Sequence, residues 1–155
     1  ARQRATVQAA LQKAKLTGMR LDITKNADGV TIINDAYNAN PDSMKSAISV
    51  LMHQECARKV AVLGDMYELG KYEVESHKAV GLEAATQNVD YLIAVGELGA
   101  LIGRAAELAG CKVDYATDNI QAIQYLRQYM KNGDAVLIKG SRGMKMEQIV
   151  QNLMG

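Results

Sequence analysis

The sequence predicts an α/β domain of Rossmann-like, three-layer form, with a mostly parallel sheet of about six strands opened by an N-terminal hairpin. Three observations carry that expectation. Short apolar runs alternate with helical stretches along most of the chain. The runs are continuous, as strands covered on both faces require. Residues 26–29, Asn-Ala-Asp-Gly, have the turn chemistry that joins the first two strands as a hairpin.

In chain order, residues 2–15 are rich in helix formers, with Val7, Ala10, Leu11 and Ala14 at helical spacing. They read as the remnant of a linker helix over 1–17, ahead of a domain over 18–155. A first residue Ala1 in place of Met fits a piece of a longer protein. Gly18 ends the helix, and Met19 to Thr24 alternates as a strand should. Thr31 to Ile33 are β-branched and suit a second, half-buried strand. Asn34, Asp35, Tyr37, Asn38 and Asn40 then place five polar side chains within seven positions, more than a simple turn requires. Asn40 suits an N-cap and Pro41 a first helical position, so a helix follows with Met44, Ala47, Ile48 and Leu51 on one face. The later apolar runs are 60–63, 91–95, 113–115 and 135–138. Helices are expected at about 73–87, 98–109, 118–131 and 145–153.

A chain of 155 residues is about one domain, and 48% hydrophobic residues make it globular. A net charge of +1 offers no electrostatic reason to invoke nucleic acid or an anionic membrane. No apolar run approaches the roughly 20 residues of a membrane span, and no signal-peptide pattern is present, which makes the cytoplasm the expected location. Cys56 and Cys111 lack metal-ligand spacing and read as buried free thiols. His53 and His77 have no partner at a metal-binding spacing and read as structural, as do Tyr125 and Tyr129 on a helix face. No metal ligand and no nucleophile is assigned.

Parallel sheets present their sites at the carboxyl ends of the strands, so the post-strand loops carry the candidates. Gly64-Asp65-Met66-Tyr67-Glu68-Leu69-Gly70-Lys71 is not a P-loop. Five residues separate its glycines where four are needed, and Tyr72 stands where a Ser or Thr must hold Mg²⁺. Gly96, Gly99 and Gly103 open a helix, but their spacing departs from the dinucleotide fingerprint, and a helix start with close packing explains them. Asp118 suits an N-cap. The last loop, Lys139-Gly140-Ser141-Arg142-Gly143, has glycines that free backbone N–H groups, and Ser141 and Arg142 are donors suited to a carboxylate. A solvated basic loop is the other reading. Asp35 has two acceptor oxygens for adjacent hydroxyls, or suits an Asx-turn.

The run Asp35-Ala-Tyr-Asn-Ala-Asn-Pro-Asp-Ser-Met44 resembles the signature opening the C-terminal domain of the Mur ligases, the cytoplasmic ATP-dependent amide-forming enzymes of peptidoglycan precursor synthesis. Gly64 to Gly70 is similar to a Gly-Asp-Met-x-Glu-Leu-Gly motif, and Lys139 to Arg142 to a Lys-Gly-Ser-Arg loop, of the branch that adds D-alanyl-D-alanine to UDP-N-acetylmuramoyl-tripeptide. The diamino-acid-adding branch carries Asp-Asn-Pro-Arg near Thr117-Asp118-Asn119-Ile120, where Ile120 brings no such charge, and Ala39 stands where several sister ligases carry a histidine. The resemblance implies a lid domain. Arg20, Asp35, Tyr37 and Asn38 would face ATP, with Asp35 on the ribose hydroxyls, and Lys139, Gly140, Ser141 and Arg142 would face the incoming dipeptide. It also implies N-terminal and central domains in the same chain, the central one holding the P-loop and the Mg²⁺ ligands, and an isolated lid without activity. The alternatives are another Mur-type ligase and a dinucleotide-binding Rossmann domain.

Overall fold

The computed structural model describes residues 21–155. The expected linker helix over 1–17 and Arg20 lie outside them. Six strands form one sheet in the order β1-β2-β6-β3-β4-β5: β1 (Asp22–Lys25), β2 (Thr31–Asp35), β3 (Lys59–Leu63), β4 (Tyr91–Val95), β5 (Val113–Ala116) and β6 (Ala135–Lys139). Only β1 runs antiparallel, against β2, with Lys25 opposite Thr31. The hairpin turn is held by Asn26, whose Oδ1 accepts from the N–H groups of Asp28 and Val30, while Gly29 supplies a φ of +76°.

Among the described residues five α-helices cover the sheet: α1 (Pro41–Met52), α2 (Glu73–Thr86), α3 (Gly96–Leu108), α4 (Asn119–Tyr129) and α5 (Glu147–Met154). Alternating strand residues divide the core in two. Ile33, Ala61, Leu63, Leu92 and Leu137 pack with Met44, Ile48, Leu51, Val80 and Ile102 of α1, α2 and α3. Ile32, Val62, Ile93, Val136 and Ile138 pack with Leu126, Ile149 and Leu153 of α4 and α5. This is the three-layer arrangement expected, and the central strands β4 and β6 are buried throughout, as their continuous apolar runs demand.

Helix α1 starts where the sequence places it. Asn40 accepts from the Ser43 N–H at 2.8 Å, the Ser43 hydroxyl accepts from the Asn40 N–H at 3.0 Å, and Pro41 follows the cap. Asp118 caps α4 through the Gln121 N–H at 2.9 Å. Two helix starts differ from expectation. α3 begins at Gly96, two residues early, because Gly96 at φ +90° turns the chain straight out of β4. α5 begins at Glu147, because Lys145 takes a left-handed φ of +53°. Cys56 and Cys111 are free, as expected, but half-buried where buried thiols were expected, and partial burial raises both thiol pKa values. Cys111 lies in the loop after α3 and Cys56 in the loop after α1, each packed against the edge of the core beneath α1, α2 and α3.

Candidate functional site

The topology builds the site. Strand β6 is inserted between β2 and β3, so the loops that leave β2, β6, β3 and β4 stand side by side at one edge. Asp35 closes β2 and Lys139 closes β6, and the two are in register across parallel strands. Both share the α1 side of the sheet with Ile33 and Leu137. The Lys139 ammonium donates to Asp35 Oδ2 at 2.6 Å and to the Asn38 carbonyl at 2.8 Å.

This ion pair is nearly dry, with 1% of the lysine and 4% of the aspartate side chain exposed. Burial pushes the Asp35 carboxyl up to about 6, against the opposing attraction of Lys139. Burial likewise lowers the lysine, with Asp35 opposing. A raised carboxyl contributes stability that is complete below its ordinary value and lost as pH rises through about 6. At neutral pH the charged pair is therefore carried at a cost to the fold.

Around the pair the signature turn is locally determined. The Asx-turn belongs to Asn34, whose Oδ1 accepts from the Ala36 N–H at 3.2 Å, which leaves Asp35 to point inward. Tyr37 is 36% exposed, its hydroxyl 3.5 Å from the Asn34 amide. Asn38 is exposed, and its side chain accepts from the Ala39 N–H. Asp35, Asn38 and Lys139 are thus brought together, with Tyr37 at the rim.

The last loop is braced by its neighbour. Ser141 is buried; its N–H donates to the Asp65 carbonyl at 2.9 Å and its Oγ accepts from the Tyr67 N–H at 2.8 Å. Gly140 lies against Gly64 and Met146, where a Cβ would collide with the Met146 sulfur. Gly143 sits under the Tyr67 ring, and the Tyr67 hydroxyl donates to Met144 Sδ at 3.1 Å. Arg142 is exposed at the start of a 3-10 turn over Arg142–Met144. Of the loop residues expected at the dipeptide, Arg142 alone presents an exposed charged side chain. Lys139 and Gly140 are committed beneath it.

Four residues outside the expected set shape the site. Asp65, 8% exposed, accepts from the Gly99 N–H at 2.7 Å, and Gly96 and Gly99 make room for its carboxylate. The glycine-rich start of α3 thus holds an internal anion where a dinucleotide fold would hold a phosphate. His77, on α2, accepts from the Met66 N–H. Asn119 donates to the carbonyls of Met144 and Lys145 and to Gln148, fixing the turn that follows Arg142. Tyr67 joins the two loops, as described. The glycine spacing at 96 and 99 was the available signal for Asp65. Nothing local announces the tertiary partners of His77 and Asn119. Among the described residues no group of three or more His, Cys, Asp or Glu side chains is placed to hold a metal ion, and no helix is long and apolar enough to cross a membrane.

The anion position at α3, the glycine-rich turn that suggested a dinucleotide, is filled from within by Asp65, and the polar groups of this parallel-sheet domain gather where β2 and β6 end. The chain belongs to the Mur ligase family: a family profile described as "Mur ligase, glutamate ligase domain" matches residues 19–142. It is 41% identical over 147 residues to the UDP-N-acetylmuramoyl-tripeptide–D-alanyl-D-alanine ligase of Bacillus subtilis, covering 93% of this chain and 32% of that protein. Among solved structures it is similar to MurF from Acinetobacter baumannii, with a TM-score of 0.76 and 32% identity over 87% of this chain and 30% of that one. It is also similar to MurF ligase from Thermotoga maritima, solved in complex with ADP, with a TM-score of 0.71 and 25% identity over 86% of this chain and 30% of that one. The chain thus spans about a third of the length of the relatives it matches.

Proposed function

We propose that this chain is the C-terminal lid of an ATP-dependent ligase that joins D-alanyl-D-alanine to UDP-N-acetylmuramoyl-tripeptide during peptidoglycan precursor synthesis in the cytoplasm. The observation that carries the reading is the dry Lys139–Asp35 pair, which joins the signature turn to the root of the Lys-Gly-Ser-Arg loop. In the proposed reaction ATP phosphorylates the tripeptide carboxylate and ADP leaves, then the dipeptide amine attacks the acyl phosphate and phosphate leaves as the amide forms. The preceding domains would supply the P-loop and the Mg²⁺ ligands. Mg²⁺ held by those preceding domains would supply charge neutralisation on the transferring phosphoryl group.

The part of this chain is positioning and exclusion of water. Asp35 accepts hydrogen bonds from the ribose hydroxyls, with Arg20 reaching the nucleotide from the entry to the domain. Tyr37 packs at the base side and Asn38 hydrogen-bonds beside it. Lys139 holds Asp35 in place as an ionised acceptor, and Gly140 lets the loop lie close against Gly64. Arg142 and the Ser141 hydroxyl proton meet the dipeptide carboxylate.

In the full-length ligase, Asp35→Ala is expected to raise KM for ATP about 10-fold, the cost of losing charged hydrogen bonds to one substrate, and to leave KM for the dipeptide within twofold. Arg142→Ala is expected to do the reverse. Wild-type ATP kinetics in the Asp35 variant would remove the ribose assignment, and an unmoved dipeptide KM in the Arg142 variant would remove the loop from the dipeptide site.

A further inference from the structure

His77 lies on α2, hydrogen-bonds to no residue assigned to a substrate, and is completely buried. Both ring nitrogens are engaged. Nε2 accepts from the Met66 N–H at 2.9 Å, and Nδ1 lies 2.6 Å from the Glu73 carbonyl. A nitrogen that accepts from an N–H bears no proton, so the ring proton sits on Nδ1 and donates to Glu73. One tautomer of a neutral ring satisfies both contacts.

The place of the anchored N–H gives the contact its meaning. The stretch from Gly64 to Leu69 has no regular secondary structure, and its described N–H donors go to separate elements: Gly64 to the Lys139 carbonyl, Met66 to His77 and Tyr67 to Ser141 Oγ. The two groups that grip Ser141 are the Asp65 carbonyl and the Tyr67 N–H, and Met66 lies between them. The Met66 side chain is itself fully buried, so its N–H has no water to turn to. Immediately beyond, Glu68 at φ +62° and Gly70 at φ +56° bend the chain away. Tyr67 carries the same position onward, through its ring against Gly143 and its hydroxyl on Met144 Sδ.

We propose that His77 is a positioning residue for the dipeptide site: through its acceptor on the Met66 N–H it fixes the 65–67 segment that grips Ser141 and covers Gly143. The proposal rests on the reading of the 139–142 loop as the site of D-alanyl-D-alanine. An apolar side chain at 77 fills the same space but leaves the Met66 N–H without a partner, so the segment shifts to find one. Glutamine is the conservative replacement, since its amide oxygen reaches about as far as Nε2 and accepts the same bond.

The test uses the full-length ligase in three forms, wild type, His77→Leu and His77→Gln, with hydrogen exchange of the peptides covering 64–70 and 139–145 measured beside steady-state kinetics. His77→Leu is expected to raise KM for D-alanyl-D-alanine about 10-fold, with KM for ATP within twofold, and to speed exchange in both peptides. His77→Gln is expected to restore both readouts most of the way. Should the leucine form not fold, His77→Met, flexible and without a strong acceptor, takes its place. Wild-type exchange in the apolar variant, or equal damage from glutamine and leucine, overturns the bracing role. Faster exchange with an unmoved dipeptide KM overturns the proposal by the other route, because the fault then lies in the assignment of the loop to the dipeptide and not in the brace.

Discussion

Asp35 and Lys139 come from opposite ends of the chain, 104 residues apart, and meet only because their strands are neighbours in register. Each is costly to bury alone, and together they tolerate burial because the ammonium also reaches the Asn38 carbonyl. Lys139→Met therefore leaves a buried carboxylate without its counter-charge. At pH 7 the variant is expected to lose about 3 kcal/mol of stability, the usual cost of halving a buried pair. The loss should shrink as pH falls towards 6 and below, since Asp35 already favours its proton up to about 6 and favours it further without the lysine. Urea titrations at pH 7 and pH 5 measure this, and an equal loss at both would show that the charge of Asp35 is not the cause. The acidic residue itself stood out in the sequence, in a turn with too many polar side chains for its length. Its pairing with Lys139 did not. Lys139 reads as the first residue of a basic loop until the register of β2 on β6 is known, and strand register is a property of the whole sheet.

Among the elements, those whose determinants are local were legible and those stabilised from afar were displaced. Helix α1 has its cap, its proline and its buried face within one stretch, and it begins where expected. Helix α3 has no side-chain cap of its own, and the carboxylate that meets its first turn comes from the loop after β3. A reading of neighbours along the chain places such a start by its glycines alone and is two residues late. The α2–α3 contact shows the same dependence. Gly81 faces the Ile102 carbonyl so closely that a Cβ would overlap it, and Ala105 lies beside it. Gly81→Ala, which helix propensity alone would favour by about 1 kcal/mol, is expected to destabilise the domain by about 1–3 kcal/mol because backbone has to move. Thermal unfolding distinguishes the two, and a raised Tm would mean that the helices can separate without loss.

For the molecule as a whole, the three layers and the parallel sheet followed from alternation of apolar runs and helices, because burial on both faces leaves its signature in composition. The strand order did not follow from it. That β6 lies inside the sheet, and so sets the last loop between the turn after β2 and the loop after β3, is a fact of topology. The proposed activity is likewise distributed: this chain positions, and the parts of its relatives that it does not span, some two thirds of their length, would hold the phosphates. The 155-residue chain alone, given ATP, tripeptide and dipeptide, is expected to release no ADP above background. Steady release matched to amide formation would place the whole catalytic apparatus here.

The interior position of β6 also bears on how the chain comes into being. Among the described strands, β1 and β2 pair with each other, β3, β4 and β5 form a second group, and the two groups share no ladder except through β6. A ribosome finishes both groups before it delivers the strand that unites them, so until Ala135–Lys139 arrives each group shows a bare edge to any other chain nearby. The rim that carries the Lys139–Asp35 pair is completed by the same segment that ends the exposure.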